Sequence, residues 1–455
     1  MQSFLVRTGL SYFAVLSCIS DFQQPFRKLK SWSIWCATIG PIVSLMPSAM
    51  LSVLSCASTA LAFSAVPAGL APPAVSSRSA VHMVTATPTD LKGSGDKASF
   101  DTTIDSVPKC PLTRWDADGV DLAALQSPAR TVPLEVRFDA ASGISEWESM
   151  VQQREEILAQ LEAGGAIWFR GFELMKTKEG FVSFYEALQL SPCQDPLASV
   201  GARAVVSAKG AMYEAVNKPS RAKFFVGMHN ESTYKRTNRV GAFVCFKQAA
   251  KGGEFLLADG RAVLADMDKE VLGRLYSKGV RFSNAELPMF DFLRSVPDPA
   301  REVLQPALKK LADAAVAVKI DMELELKWAE SEKDGLRLQA FSPAQSPINR
   351  HPTTGEPSWF CNVHSHSRYL RDTRDNAVEV VETSGASKFN VTDMFYGDGT
   401  PIPVEDLEHI DEVTRKNLVS VLMEPGDVVM VDNYQMAHGR DVFEGERLHA
   451  VTWFE

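Results

Sequence analysis

Histidine is scarce in this 455-residue chain, with eight in all, and cysteine is scarcer, with seven. No cysteines form a CxxC pair and no stretch has zinc-finger spacing, which excludes zinc ribbons and thioredoxin-type redox motifs. Cys18, Cys36 and Cys56 lie near the N-terminus, while Cys110, Cys193, Cys245 and Cys361 are scattered. That pattern predicts a reducing compartment and argues against a disulfide framework. Basic stripes are missing too. The net charge is −9, and residues 1–89 hold five basic residues and one acid, so the remaining chain carries −13. An acidic body repels phosphates, which disfavours nonspecific nucleic-acid binding. There is no internal repeat. With 45% hydrophobic and 23% charged residues, the composition is that of a globular protein with one large or two medium domains.

Acids are absent between Asp21 and Asp90. This stretch, rich in Ser, Ala, Pro and Val, has the acid-poor composition of a targeting peptide. Within it, "MLSVLSCASTALAFSAVPAG" reads as a short apolar core followed by small residues and Phe63, then a hydroxylated, weakly basic tail. This arrangement resembles the two-part leaders of proteins sent to the plastids of algae with secondary plastids. A secretory signal and a membrane anchor around 34–63 are the alternatives, the anchor weakened by Pro41 and Pro47. No stable membrane insertion of the mature domain is expected. Met46 or Met50 is an alternative start. Residues 1–89 are therefore expected to be a leader, residues 90–130 a polar, turn-rich linker open to disorder, and residues 131–455 the folded domain.

In the folded domain, "VPLEVRF", "AIWFRGF", "VGAFVCFKQA" and "VRFSNA" predict strands. "ISEWESMVQQREEILAQLEAG" and "KEGFVSFYEALQL" predict helices, with Gly164 and Gly165 ending the first. "KGGEFLLADGRAVLADMD" reads as turn, strand and helix start, and "KEVLGRLYSKG" as helix. Residues 299–330 read as an amphipathic helix, "EPSWFCNVHSHS" as extended, and the C-terminus as two apolar strands around a polar connection. Strands before and after a helical insert predict a mainly β, α+β fold with helices on its outside, not a βαβ repeat.

The few histidines gain weight from their spacing. His229 and Glu231 in "MHNES" lie two apart, so a strand would turn both to one side. A facial triad needs two His and one carboxylate and leaves positions open for substrate and O2. His438, after the apolar "GDVVMVDN", is the candidate third ligand, and Arg447, nine positions on, could grip a carboxylate with its planar fork. Arg440 is the second candidate anion contact. Asp432 and Asn433 are expected to orient His438. His364 and His366 are divided between substrate contact and polar surface. His449 is read as core or as support for the site, His409 as solvated, His351 as holding a turn, and Cys245 as core. Asp259 and Arg261 are expected to pin a strand-to-helix turn.

Three stretches carry a resemblance. "HNESTY…GAFVCFKQAAKGGEFLLADGRAV", "HPTTGEPSWF" and "PGDVVMVDNYQMAHGRDVFEGER" are similar, in order, to the motifs of the TauD/TfdA superfamily of Fe(II)- and 2-oxoglutarate-dependent oxygenases, and within it to the SyrP-like and clavaminate-synthase-like branch. The resemblance implies a double-stranded β-helix (a jelly roll) with iron at one mouth. It implies His229, Glu231 and His438 as iron ligands, Arg447 as the grip on the distal carboxylate of 2-oxoglutarate, and O2 as oxidant. Succinate and CO2 would be released as an unactivated C–H bond is hydroxylated or desaturated. The expected substrate is an amino-acid-like metabolite or, given the leader, a protochlorophyllide-type pigment as in chlorophyll c synthases. Two departures stand out. The family's GGET reads GGEF here, so Phe255 replaces a threonine whose hydroxyl helps bind 2-oxoglutarate, at a cost on the order of 1 kcal/mol. The motif often written WFNQ reads Trp359-Phe360-Cys361-Asn362. A non-catalytic jelly-roll binding module that has lost 2-oxoglutarate is the alternative reading.

Overall fold

Alternation of apolar residues shapes two walls of a β sandwich. A computed structural model describes the chain from residue 107 onward, except 127, 129–132, 197–202, 209, 216, 218–221, 232–234, 320–322, 332–334 and 375–391. The expected leader, and the linker as far as residue 106, lie outside the described residues.

The first strands are β1 (Leu134–Arg137), β2 (Ala166–Arg170), β3 (Pro192–Cys193), β4 (Val205–Ser207), β5 (Met212–Glu214), β6 (Val226–His229) and β7 (Val240–Lys247). β8 (Lys251–Gly252), β9 (Phe255–Asp259), β10 (Val280–Leu287), β11 (Glu325–Ser331), β12 (Gly335–Phe341), β13 (Ile348–Arg350), β14 (Pro357–Trp359) and β15 (Asp393–Tyr396) follow. The chain ends with β16 (Leu418–Val421), β17 (Val428–Asp432), β18 (Met436–Arg440), β19 (Phe443–Glu444) and β20 (Leu448–Phe454). The helices used below are α1 (Glu146–Gly164), α2 (Lys178–Ala187), α3 (Gly260–Asp266), α4 (Lys269–Lys278), α5 (Asp298–Lys319), α6 (Val363–His366), α7 (Arg368–Thr373) and α8 (Val404–Lys416).

The larger wall runs β1-β2-β17-β7-β20-β5-β4, with β3 paired to β20, and the smaller wall runs β16-β9-β18-β6. Period-two alternation assigns each side chain a layer. In β7 and β20, Ala242, Val244, Ala450 and Phe454 turn outward onto α1 and α2, beside Ile157, Leu161, Phe181 and Phe184. Phe243, Cys245, Val451 and Trp453 turn inward, where they meet Phe255, Leu257 and Met436 of the smaller wall. The outward residues of that wall, Leu256 and Ala258, pack with α3, α4 and α8 through Leu264, Leu272 and Ile410. Each of these large apolar side chains contributes about 1.5–3 kcal/mol when fully buried. Two sheets packed face to face with helices outside form the double-stranded β-helix. β10, β11, β12 and β15 build a separate four-stranded sheet between the motifs.

Local signals explain the helix ends. Ser145 caps α1 in a capping box with Glu148, and Gly165 closes it in the left-handed region at φ 81°. Asp259 caps α3 by accepting from Arg261 N, and its carboxylate also takes the Arg261 guanidinium, so this pair does pin the strand-to-helix turn.

Several expectations need correction. The helix expected over 299–330 ends at Lys319, and residues 325–331 form β11, paired to β12. There, cross-strand pairing outweighs helical periodicity. The stretch expected to be extended forms β14 and then the short helix α6. The polar C-terminal connection contains a further strand, β18, whose buried polar residues hid it from a search for apolar runs. From residue 107 the expected linker is held on the domain. Cys110 and Val120 are buried, Lys109 bridges Gln194, Leu112 bridges Arg236, and Asp116 N donates to Asn349 Oδ1 at 2.7 Å. Cys110 and Cys193, 83 positions apart, are joined in a disulfide, while Cys245 and Cys361 are buried and free. The cysteine pattern thus no longer argues for a reducing compartment. The pair was invisible because tertiary pairing of the segment around Lys109 with Gln194, far away in the chain, brings the two cysteines together.

Candidate metal centre

Antiparallel pairing sets His229 of β6 directly opposite His438 of β18. Residues opposite each other on adjacent strands share a face, and the two imidazole centroids lie 4.4 Å apart. Glu231 follows β6 by two positions. One donor atom from each of His229, Glu231 and His438 falls within 4.8 Å of the other two. His438 Nε2 is 3.9 Å from Glu231 Oε2. His229 Nδ1 lies 2.9 Å from Gly227 O, an acceptor only, so Nδ1 carries the proton and Nε2 keeps its lone pair. His438 Nδ1 is buried without a hydrogen-bond partner.

Burial pushes both imidazoles below the ordinary histidine range. Glu231 and a hydrogen bond to Gly227 oppose this at His229, and neighbouring positive charge reinforces it at His438. Both are therefore neutral nitrogen donors at pH 7. Two imidazoles and a carboxylate suit Fe(II) and leave part of its coordination shell open.

The backbone around Glu231 is held by amides. Asn433 Oδ1 accepts from Glu231 N at 2.7 Å, and its Nδ2 donates to Glu231 O at 2.9 Å. Asn230, between His229 and Glu231, donates its N–H to Asn362 Oδ1 at 2.9 Å and its Nδ2 to Asn433 O at 2.8 Å. The departure at Trp359-Phe360-Cys361-Asn362 thus ends in an amide that fixes the backbone between His229 and Glu231. Asp432 does not reach His438. It accepts from Arg239 Nε at 2.8 Å and lies 3.0 Å from His351 Nε2, while His351 Nδ1 accepts from Thr354 N and holds the turn. Asn433 therefore orients the Glu231 backbone and Asp432 holds Arg239 and the His351 turn, and neither orients His438. The side chains of strand and turn diverge past Asp432, which a strand reading could not anticipate.

His449, Val451 and Trp453 share the inward face of β20 by alternation, and Arg447 lies immediately before the strand. Arg447 is buried, and its Nη1 donates to Ala215 O at 2.8 Å and Asn217 Oδ1 at 3.2 Å. Its Nε is buried without a hydrogen-bond partner, and among the described residues no carboxylate pairs with it. Burial pulls the guanidinium down to about 10. His449 Nδ1 is likewise buried and unpartnered. Arg440, also buried, donates to Phe224 O at 2.6 Å and lies over the Phe443 ring at 4.7 Å. Gly253 is required beneath this group. Its φ is +79°, and an added Cβ would come within 3.1 Å of Phe443 and 3.4 Å of Arg447.

Phe255 lies beside the triad, stacked on the His438 ring at 6.0 Å and 4.7 Å from Phe243. Where the family pattern offers a hydroxyl, this chain offers a ring stacked on His438. Phe255→Thr is expected to lower the half-saturating 2-oxoglutarate concentration about fivefold, the worth of one neutral hydrogen bond. It should also lower stability by about 2–4 kcal/mol through the cavity it leaves. Titrating succinate release against 2-oxoglutarate, beside a melting curve, checks both. An unchanged 2-oxoglutarate dependence would show that position 255 does not face the cosubstrate.

His364 is buried and structural. Its Nδ1 accepts from Met228 N at 2.9 Å, and its Nε2 lies 3.0 Å from Asp411 Oδ1. Burial lowers it to about 4. Protonating Nδ1 would oppose two N–H groups across the bond that holds β6. A folded value below the ordinary 6.5 means that the unfolded chain binds this proton first, so stability is full above about 6.5 and is lost as pH falls toward 4. Melting temperatures should therefore fall across that window, and His364→Asn should flatten the fall. His366 sits beside the Phe282 ring, and repulsion from His229 adds to the burial that lowers it to about 3. His409 Nε2 accepts from Asp268 N at 2.9 Å and so ties α8 to the start of α4.

Sequence reasoning missed Arg203, whose Nη2 lies 2.8 Å from both carboxylate oxygens of Glu231. A lone arginine in an irregular stretch gives no signal. Asn230 and Asn362 were missed as well, although both sit inside the quoted motifs.

The family described as taurine catabolism dioxygenase TauD, TfdA family matches residues 130–453. The dapdiamide synthesis protein DdaC of Enterobacter agglomerans is 24% identical over 301 residues, covering 66% of this chain and 83% of that protein. A clavaminate synthase-like protein of Arabidopsis thaliana is 22% identical over 330 residues, covering 71% and 88%. Among solved structures, PvcB of Pseudomonas aeruginosa aligns at 14% identity and a TM-score of 0.40, covering 71% of this chain and 87% of its own. An asparagine oxygenase aligns at 12% and 0.41, covering 70% and 93%. With its motifs in order on a double-stranded β-helix, the chain belongs to the TauD/TfdA family of dioxygenases, oxidoreductases that use Fe(II), 2-oxoglutarate and O2.

Proposed function

We propose that His229, Glu231 and His438 hold Fe(II), that Arg447 binds the distal carboxylate of 2-oxoglutarate, and that the protein oxidises a C–H bond of a small metabolite. The convergence of the three donor atoms within 4.8 Å carries this reading. Bound Fe(II) supplies the coupling of O2 to 2-oxoglutarate decarboxylation that makes an unactivated C–H bond reactive. The chain's own residues do the positioning. Gly227 O fixes the His229 tautomer, Asn433 and Asn362 fix the ligand backbone, and Phe243 and Phe255 keep the His438 side apolar. Arg447 offers a buried cation whose Nε lacks a partner, which favours an anionic ligand. Arg440 and His449 add donors nearby.

For the substrate, the similarity to a protein of dapdiamide synthesis supports a small amino-acid-like metabolite. The acid-poor leader supports plastid import and, with it, a protochlorophyllide-type pigment. Secretion and anchoring are the competing destinations. Anaerobic titration with Fe(II) and 2-oxoglutarate tests the centre. A visible charge-transfer band is expected, and its absence would favour the non-catalytic binding module. Succinate release is then screened with amino acids and with the pigment. Turnover on the pigment alone would overturn the amino-acid reading.

A further inference from the structure

Glu231 is buried at 2% exposure, and a carboxylate removed from water requires a partner. Among the described residues, Arg203 is the group that donates to it. One nitrogen, Nη2, sits between the two oxygens at 2.8 Å from each. The guanidinium is held from two further sides. Its Nε is 3.8 Å from the buried Asp195 carboxylate, and its plane lies over the Trp453 ring at 4.9 Å. Trp453 is fully buried in β20, so this arginine rests on the sandwich core.

The number of oxygens that Glu231 gives to the metal matters. A triad of three single-atom ligands leaves three positions, enough for a chelating 2-oxo acid and O2. A carboxylate that chelates with both oxygens would take one of those positions. We propose that Arg203 is a positioning residue that retains one Glu231 oxygen and so limits this ligand to a single metal bond. The inference rests on the assignment of His229, Glu231 and His438 as the metal centre. A cation stacked on Trp453 and facing two carboxylates is well placed for this, because its charge-assisted bond to the second oxygen survives when the first turns to the ion.

Mn(II) bound at the site makes the proposal measurable without turnover, because the water-proton relaxivity of the loaded protein follows the number of exchangeable waters on the ion. Arg203→Gln and Arg203→Met are each saturated with Mn(II) and compared with the unaltered protein. The apolar methionine chain keeps the packing over Trp453, so the measurement stands on whichever variant folds. The expected result is a relaxivity lower by about a third, three open positions becoming two. Arg203→Lys, which keeps a cation, is expected to recover most of it. A folded variant with the unaltered relaxivity overturns the proposal, even if its melting temperature has dropped, since a purely structural arginine would give that pattern. A folded variant that no longer binds Mn(II) also overturns it, because Arg203 would then govern binding rather than the number of bonds. If the unaltered protein binds no Mn(II), the metal centre itself is refuted and this inference falls with it.

Discussion

His438→Ala is expected to abolish succinate release while leaving a folded protein. The strand that carries this residue is secured by its backbone. β18 pairs with β9 from Met436 to Arg440 and with β6 on its other side. None of those bonds uses the imidazole, and Nδ1 has no partner to lose. The folding cost is confined to lost packing against Phe243 and Phe255, about 1–2 kcal/mol. The cost to the metal is much larger. Removing groups that only support a ligand costs about 10–100-fold in affinity, and removal of a ligand should exceed that. Calorimetry with Fe(II) under anaerobic conditions should therefore show affinity reduced more than about 100-fold, and His229→Ala should behave alike. Turnover at the unaltered rate in either variant would refute the triad.

Arg447→Gln should separate cosubstrate binding from metal binding. The half-saturating 2-oxoglutarate concentration is expected to rise about 30-fold or more, because truncating one partner of a buried charge pair costs about 2–5 kcal/mol. Fe(II) affinity should stay near its original value, since Arg447 stands just before β20 and its hydrogen bonds go to Ala215 and Asn217, not to His229, Glu231 or His438. Glutamine can keep a bond toward Asn217 but has no charge for a carboxylate. If 2-oxoglutarate dependence were unchanged, the grip would pass to Arg440, two positions after His438 on the same inward face of β18.

Much of this was legible without coordinates because it depends on local periodicity. The helices ending at Gly164 and Lys278, the strands over Val240–Lys247 and Phe255–Asp259, and the turn pinned by Asp259 and Arg261 follow from neighbours in the chain. The spacing of His229 and Glu231, the distant His438 and the Arg447 beyond it were readable as a pattern, because a metal centre constrains residue types tightly. Strand β18 was misread as connection because its inward residues, His438 and Arg440, are polar where a core strand is usually apolar.

The sequence by itself determined the type of fold, the likeness to the oxygenases and the residues proposed for the metal, since periodicity and motif order are properties of a linear chain. Only the tertiary structure decided which side chains meet across long separations. It set His229 opposite His438, put Asn433 on Glu231 rather than on His438, joined Cys110 to Cys193, laid Phe255 against the His438 ring and brought Arg203 onto the Glu231 carboxylate. These contacts come from sheet register and the packing of two walls. They are cooperative outcomes of the whole fold, and no local stretch encodes them.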